Sequence, residues 1–307
     1  MTRWLIVGAG GMLGRDLITA LAGEDVVGLT RRELDITDDA AVRAALRACG
    51  PDVVVNCAAW TAVDDAEAHE DEALAVNATG AAHLAAGCAA GGRTGPVARE
   101  IPLVHLSTDY VFAGDGRRPY AEQDPAGPRS AYGRSKLAGE QAVLKLLPQS
   151  GYVVRTAWLY GAHGPNFVRT MIRLERERPT VDVVDDQRGQ PTWTVDVAGQ
   201  IIALVRSQAR AGVYHASSSG EATWFDLARE VFRLLGADPA RVRPTSSDAY
   251  VRPAPRPSYS VLGHDAWAAA GIEPIGDWRL ALERAFPALA AACGDKAGGP
   301  QTAAPGR

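Results

Sequence analysis

At 307 residues, with 47% hydrophobic and 22% charged side chains, the chain has a globular composition and can bury a large core, as one large or two unequal domains. A formal charge of −4, with Lys and Arg never gathered in a run, argues against a nucleic-acid or membrane partner. Cys49, Cys57, Cys88 and Cys293 lack CxxC spacing, which fits a reducing cytoplasm and argues against a zinc site or disulfide frame. Neither a secretory leader nor a spanning helix is expected, because the first apolar run is short and is cut by glycines.

The run Trp4–Val7 has the look of a buried parallel strand. Gly8, Gly11 and Gly14 follow at G-x-x-G-x-x-G spacing, with Gly10 between them. Leu13, Leu17, Ile18 and Leu21 then recur at helical spacing. A glycine turn between strand and helix lets backbone approach a pyrophosphate, and the helix N-terminus offers free N–H donors and a favourable dipole.

Val26–Leu29 reads as the second strand, and Thr37 or Asp38 as the cap of a helix containing Val42 and Leu46. Val53–Cys57 is the third strand and is followed by one long helix from about Asp71 to Cys88. Gly91–Glu100 reads as a surface loop, Leu103–Ser107 as the fourth strand and Tyr152–Thr156 as the fifth. This alternation predicts an α/β fold with a doubly wound parallel sheet of Rossmann type. The glycine turn, Cys57–Trp60, Ser107–Tyr110 and Trp158–Gly161 then share the carboxyl-end rim, where such folds bind ligands.

Between the fourth and fifth strands, Tyr132 and Lys136 stand four residues apart on a helical pattern, which places phenol and ammonium on one face. An unperturbed tyrosine titrates near ~10. A neighbouring cation would lower that value and make the phenol a general acid or base. Ser107, Thr108 and Asp109 follow the fourth strand, where Thr108 is either a turn cap or a catalytic hydroxyl.

Beyond Gly161 the alternation loosens. Helices are expected over Asn166–Glu177, Thr194–Arg206 and Thr223–Leu235, with strands over Val181–Val184 and Gly212–Ala216. The stretch Arg243–Pro257, with Pro244, Pro253, Pro255 and Pro257, should resist regular structure. The organisation predicted is a dinucleotide-binding domain over 1–160, including the Tyr/Lys helix, and a smaller substrate-binding lobe over 161–290. Some elements of the lobe return to the main sheet, and a disordered tail covers 291–307.

Thr108, Tyr132 and Lys136 together resemble the hydroxyl–tyrosine–lysine set of the extended short-chain dehydrogenase/reductase superfamily. The strings NCAAWTAVDDAE, LSTDYVFAGDG, YGRSKLAGE, RTAWLYG, DQRGQPT, GVYHASSSG and RPAPRPSYS, from Asn56 to Ser260, narrow this. They make the chain similar to the dTDP-4-dehydrorhamnose reductase family. The resemblance implies NAD(P)H-dependent reduction of the 4-keto group of dTDP-4-dehydro-L-rhamnose, with Tyr132 supplying the proton and Thr108 donating to the carbonyl oxygen.

It further implies that Gly8, Gly10, Gly11, Met12, Leu13 and Gly14 follow the cofactor pyrophosphate, and that Asp35 and Ile36 meet the adenine side. Ala58, Ala59, Trp60 and Thr61 would line the cofactor, and Tyr132 and Lys136 would touch its ribose. Thr108, Asp109 and Asn166 would contact the substrate. Trp158 would pack beside the sugar or else sit in the core, and Arg256 would meet the diphosphate or else face solvent.

In two places the chain departs from this family. Thr30-Arg31-Arg32 stands where many relatives carry an acidic residue, which favours NADPH, with NADH use also open. Where some relatives bridge a dimer through Mg²⁺, Asp16 could supply one carboxylate but Val195 replaces another. The metal is therefore doubtful, and a monomer or weak homodimer is expected. The rival functions are a nucleotide-sugar epimerase or dehydratase of the same fold, and a regulatory binding subunit without turnover.

Overall fold

The computed structural model describes residues 1–91, 100–207 and 209–294. In the first half the elements run β1 (Arg3–Val7), α1 (Met12–Ala20), β2 (Asp25–Leu29), α2 (Asp39–Cys49), β3 (Val53–Asn56), α3 (Glu70–Leu74) and α4 (Gly80–Ala90). Next come β4 (Leu103–Thr108), α5 (Ala131–Leu146), β5 (Gly151–Thr156), β6 (Leu159–Tyr160), α6 (Phe167–Glu177), β7 (Val181–Val184), β8 (Arg188–Gly189) and β9 (Thr192–Trp193). The rest is α7 (Thr194–Arg206), β10 (Gly212–His215), β11 (Ala222–Thr223), α8 (Trp224–Leu234), β12 (Val242–Thr245), α9 (Asp265–Ala269) and α10 (Trp278–Gly294).

The main sheet has six strands in the order β10-β5-β4-β3-β1-β2, and each pairing in it is parallel. Alternate residues of β1 serve opposite faces. Trp4 and Ile6 pack with Leu13 and Leu17 of α1 and Val197 and Ile201 of α7. Leu5 and Val7 pack with Val42 and Leu46 of α2, Leu84 of α4 and Val143 of α5. Burial on both faces is why these strands are continuous apolar runs. A further core joins α6, α8 and α10 to β7 and β12 through Ile172, Phe232, Leu282 and Val183.

The chain departs from the sequence reading at three places. The single helix expected from Asp71 to Cys88 is interrupted by a π turn over Ala75–Thr79, which separates α3 from α4. Asn77 lies in that turn and makes tertiary hydrogen bonds described below. Within the proline-rich stretch, Val242–Thr245 pairs in parallel with Val181–Val184. Pro244 is tolerated there because β12 belongs to a two-stranded ribbon, where a proline can face away from its partner. Finally, α10 continues to Gly294, so residues 291–294 are helical rather than part of a disordered tail. The 295–307 part of that expectation, and the 92–99 part of the expected surface loop, lie outside the described residues.

The sheet order reverses direction between β1 and β3, and this switch point opens a crevice at their carboxyl ends. Among the described residues, the segment Glu70–Ala90 is long and apolar enough to cross a membrane. It packs instead against α2 and α5.

Candidate active site

The glycine turn forms the floor of the switch-point crevice. Gly8 has φ +80°, and a Cβ on it would lie 2.5 Å from the Ala58 amide nitrogen. A Cβ on Gly14 would lie 2.6 Å from the Gly8 carbonyl oxygen. These positions let the turn fold tightly onto β3 and α1. Gly11 caps α1 without a side-chain hydrogen bond, and the first helical bond runs from the Arg15 N–H to the Gly11 carbonyl at 3.1 Å. The N–H groups of Met12, Leu13 and Gly14 therefore lack helical partners and can meet an anion.

A cleft of about 570 Å³ opens here, lined by Gly8, Gly10, Gly11, Thr30, Arg31, Arg32, Asp35, Ile36, Ala58, Ala59 and Trp60. Met12, Leu13, Gly14 and Thr61 do not line it; Leu13 turns its side chain into the core. Asp35 accepts from the Thr37 amide and hydroxyl, and these bonds hold its pKa below the usual range. Glu33, which the sequence reading passed over, takes both the Thr30 amide and hydroxyl at 2.8 Å. The glycine cradle, free amides and paired arginines fit a phosphorylated dinucleotide.

A second cleft, of about 990 Å³, is lined by Asp64, Tyr110, Phe167, Trp224, Tyr250, Arg252, Arg256 and others. Arg256 reaches this cleft, with Nη2 donating to Asp64 Oδ2 at 2.8 Å. Trp158 has φ 46°, a strained value for a non-glycine residue. Its ring stacks on Trp224 at 3.6 Å, and a Cβ on Gly189 would lie 2.5 Å from it. Trp158 thus backs a residue of the cleft wall. Asn166, expected beside the substrate, is the N-cap of α6. Its Oδ1 accepts from the Arg169 N–H at 3.1 Å and its Nδ2 donates to the Gly161 carbonyl at 2.8 Å.

Tyr132 stands between the two clefts. It packs with Trp60 of the first around the Ala66–Ala73–Ala131 cluster, and Tyr110 of the second meets its ring edge-on at 5.7 Å. Burial pushes the phenol up to about 12, against a hydrogen bond with Thr108 that pulls it down. The expectation that Lys136 lowers this pKa is not met. Lys136 is 1% exposed, and its Nζ donates to the Leu106 carbonyl at 2.5 Å. Burial lowers Lys136 to about 8.

Thr108 also differs from the expected donor to a carbonyl. Its hydroxyl donates to Asp109 Oδ1 at 2.9 Å and accepts from the Tyr110 N–H at 3.2 Å. Asp109 is 2% exposed, and burial raises its carboxyl to about 6.

Further residues hold the tyrosine helix in place. Ser130 caps α5 by accepting from the Gly133 N–H, and Glu67 accepts from the Ala131 N–H at 2.8 Å. Arg134 forms two 2.7 Å bonds to Glu70. Asn77 ties the Trp60 backbone to Ser135, whose hydroxyl donates to the Tyr132 carbonyl. Asn77 had one sequence signal: a polar residue with low helix propensity inside an apolar helical pattern.

The residues at the expected bridging-metal position do not fit a hard cation. Asp16 Oδ2 is taken by the Thr194 hydroxyl at 2.5 Å, and the Val195 side chain offers no oxygen.

Comparison with known proteins identifies the family. Residues 2–291 match the family model described as the RmlD substrate binding domain. The chain is 61% identical over 289 residues to the dTDP-4-keto-6-deoxy-D-glucose reductase of Streptomyces niveus, covering 94% of this chain and 97% of that one. It is 57% identical over 305 residues to the dTDP-4-dehydrorhamnose reductase of Streptomyces griseus, covering 97% and 98%. Among solved structures, dTDP-4-dehydrorhamnose reductase from Bacillus anthracis in complex with NADP superposes with a TM-score of 0.86 at 36% identity, covering 93% and 99%. The chain belongs to the dTDP-4-dehydrorhamnose reductase family of the extended short-chain dehydrogenase/reductase superfamily.

Proposed function

We propose that this protein reduces the 4-keto group of dTDP-4-dehydro-L-rhamnose with NADPH to give dTDP-L-rhamnose. The observation behind this reading is the position of Tyr132, packed on the same small cluster as Trp60 of the first cleft and edge-on against Tyr110 of the second. The names of the Streptomyces relatives and the NADP in the Bacillus anthracis structure support it.

Bound NADPH supplies the hydride to the carbonyl carbon. Tyr132 gives its proton to the oxygen as negative charge develops there. A phenol held near 12 stays protonated at neutral pH, and it can still donate to an alkoxide, which is more basic. Lys136, titrating near 8, remains mostly cationic at neutral pH, with its Nζ held on the Leu106 carbonyl. Trp60 and Tyr110 hold the phenol between sugar and cofactor, so orientation supplies much of the rate. Arg256, released from Asp64, meets the diphosphate.

A second substrate has a specific basis, because the Streptomyces niveus relative is named for the 4-keto-6-deoxy-D-glucose isomer. Assaying both ketosugars with each reduced nicotinamide, and identifying the product by NMR, separates the two. Stoichiometric NADPH consumption is expected. Conversion without it would indicate an epimerase or dehydratase, and co-purification with a partner without turnover would indicate a binding subunit. The free cysteines and the ill-fitting metal position support a cytoplasmic enzyme that is monomeric or weakly dimeric.

Arg31 and Arg32 line the cofactor cleft and would pair with a 2′-phosphate. Replacing both with Ala should raise the KM for NADPH by about 10–100-fold, the worth of a charge-assisted hydrogen bond or two, with little change for NADH. Equal weakening of both cofactors, or a wild-type preference for NADH, would contradict this assignment.

A further inference from the structure

We propose that Asp64 is a positioning residue that acts through Arg256: its carboxylate keeps the place of the substrate diphosphate on that guanidinium, and gives it up when substrate arrives. This rests on the reductase reading above. Asp64 lies on the connection between β3 and α3, which supplies Ala58, Ala59 and Trp60 to the cofactor cleft and then Asp64 to the second one. Three donors from one short stretch of the proline-rich loop converge on it. Arg256 Nη2 donates to Oδ2 at 2.8 Å, the Ala254 N–H donates to Oδ1 at 3.3 Å, and Arg252 Nη1 stands 4.0 Å from Oδ2.

Guanidinium groups and a backbone N–H are the partners that a phosphate takes, so the carboxylate imitates one. The pair also lies where a diphosphate should fall. C1 of a hexopyranose is across the ring from C4, which sets the diphosphate about one ring's breadth from the reacting carbonyl. Tyr110 spans such an interval. Its ring meets that of Tyr132 edge-on. Burial raises its phenol, Arg256 pulls it back, and Tyr132 and Asp64 are among the charges that push it further. The Arg256 and Asp64 side chains are 22% and 31% exposed, so an incoming anion can reach and replace their contact. Once released, Arg256 keeps only a long bond, from Nη1 to the Ala254 carbonyl at 3.4 Å, among those it makes here.

The test is calorimetry of dTDP binding to the NADP⁺-loaded protein, in a double-mutant cycle on Asp64→Asn and Arg256→Ala, with Tm as the check on folding. Asn keeps an acceptor for the Ala254 N–H and drops the charge that competes with the diphosphate. Asp64→Asn should tighten dTDP binding by about two- to fivefold, the worth of a part-exposed ion pair. The ketosugar KM should fall by the same factor while kcat stays within about twofold. Arg256→Ala should weaken dTDP binding by about tenfold. In that background Asp64→Asn should change the affinity by less than about 1.5-fold, because both substitutions remove one contact. Equal tightening in both backgrounds would make Asp64 a general repulsive charge, and weaker binding by Asp64→Asn would make it a loop support or a direct ligand contact. Either result overturns the proposal, as does an Arg256→Ala variant that binds dTDP normally. The expected cycle on dTDP with a wild-type enzyme inactive on both ketosugars would overturn the reductase reading instead.

Discussion

Replacing Tyr132 with Phe is expected to lower turnover by about two to four orders of magnitude while leaving NADPH binding nearly unchanged. The substitution removes one oxygen and keeps the ring packed on the Ala66–Ala73–Ala131 cluster and edge-on to Tyr110. Cofactor affinity should survive, because the 570 Å³ cleft is built mainly from glycine backbone and the residues after β2 and β3. Stopped-flow hydride transfer and fluorescence titration with NADPH measure the two effects separately. An undiminished rate would remove the phenol from the chemistry, whereas parallel loss of rate and cofactor affinity would give it a binding role.

Replacing Glu140 with Ala should be the most destabilising single change among the polar residues discussed. Arg155 Nε and Nη2 donate to the two Glu140 oxygens at 2.9 and 2.7 Å, with side chains only 6% and 2% exposed. Arg155 also donates to the Glu122 carbonyl at 3.3 Å and lies 4.9 Å from the Phe112 ring centroid. Removing the carboxylate leaves an uncompensated guanidinium between β5 and α5. The expected loss is about 3–5 kcal/mol, read as a fall in Tm of roughly 5–15 °C. An unchanged Tm would mean that water reaches Arg155 once Glu140 is gone. Since α5 holds Tyr132 and Lys136, the variant should lose activity at temperatures below its Tm as well.

Local patterns in the chain were legible because their physics is local. The run Trp4–Val7 announces a strand buried on both faces, and Gly8, Gly11 and Gly14 announce the tight turn after it. The spacing of Tyr132 and Lys136 places them on one helical face regardless of what surrounds the helix. What could not be read depends on partners distant in sequence. The direction of Lys136 Nζ is set by the Leu106 carbonyl, thirty residues away, and the burial of Tyr132 by walls from three other segments. Apolar periodicity continued smoothly across Ala75–Thr79, so the π turn was hidden until Asn77 met Trp60 and Ser135. Asn166 shows a local role that could be read: its position ahead of a helix marks a cap.

The clefts show the same division. The first was legible because glycine turns and strand ends build it. The second was not, apart from Arg256, because α6, α8, β7 and the proline-rich loop assemble its wall. The strained Trp158 backbone is meaningful only once Gly189 and Trp224 are seen against its ring.

The account turns on hydride delivery to C4 of a ketosugar beside Tyr132. Turnover of dTDP-4-dehydro-L-rhamnose with NADPH deuterated at the transferring position, followed by NMR of the product, measures this directly. One deuterium on sugar C4 per NADPH oxidised is the predicted result; product without deuterium at C4, or formed without NADPH oxidation, would contradict it.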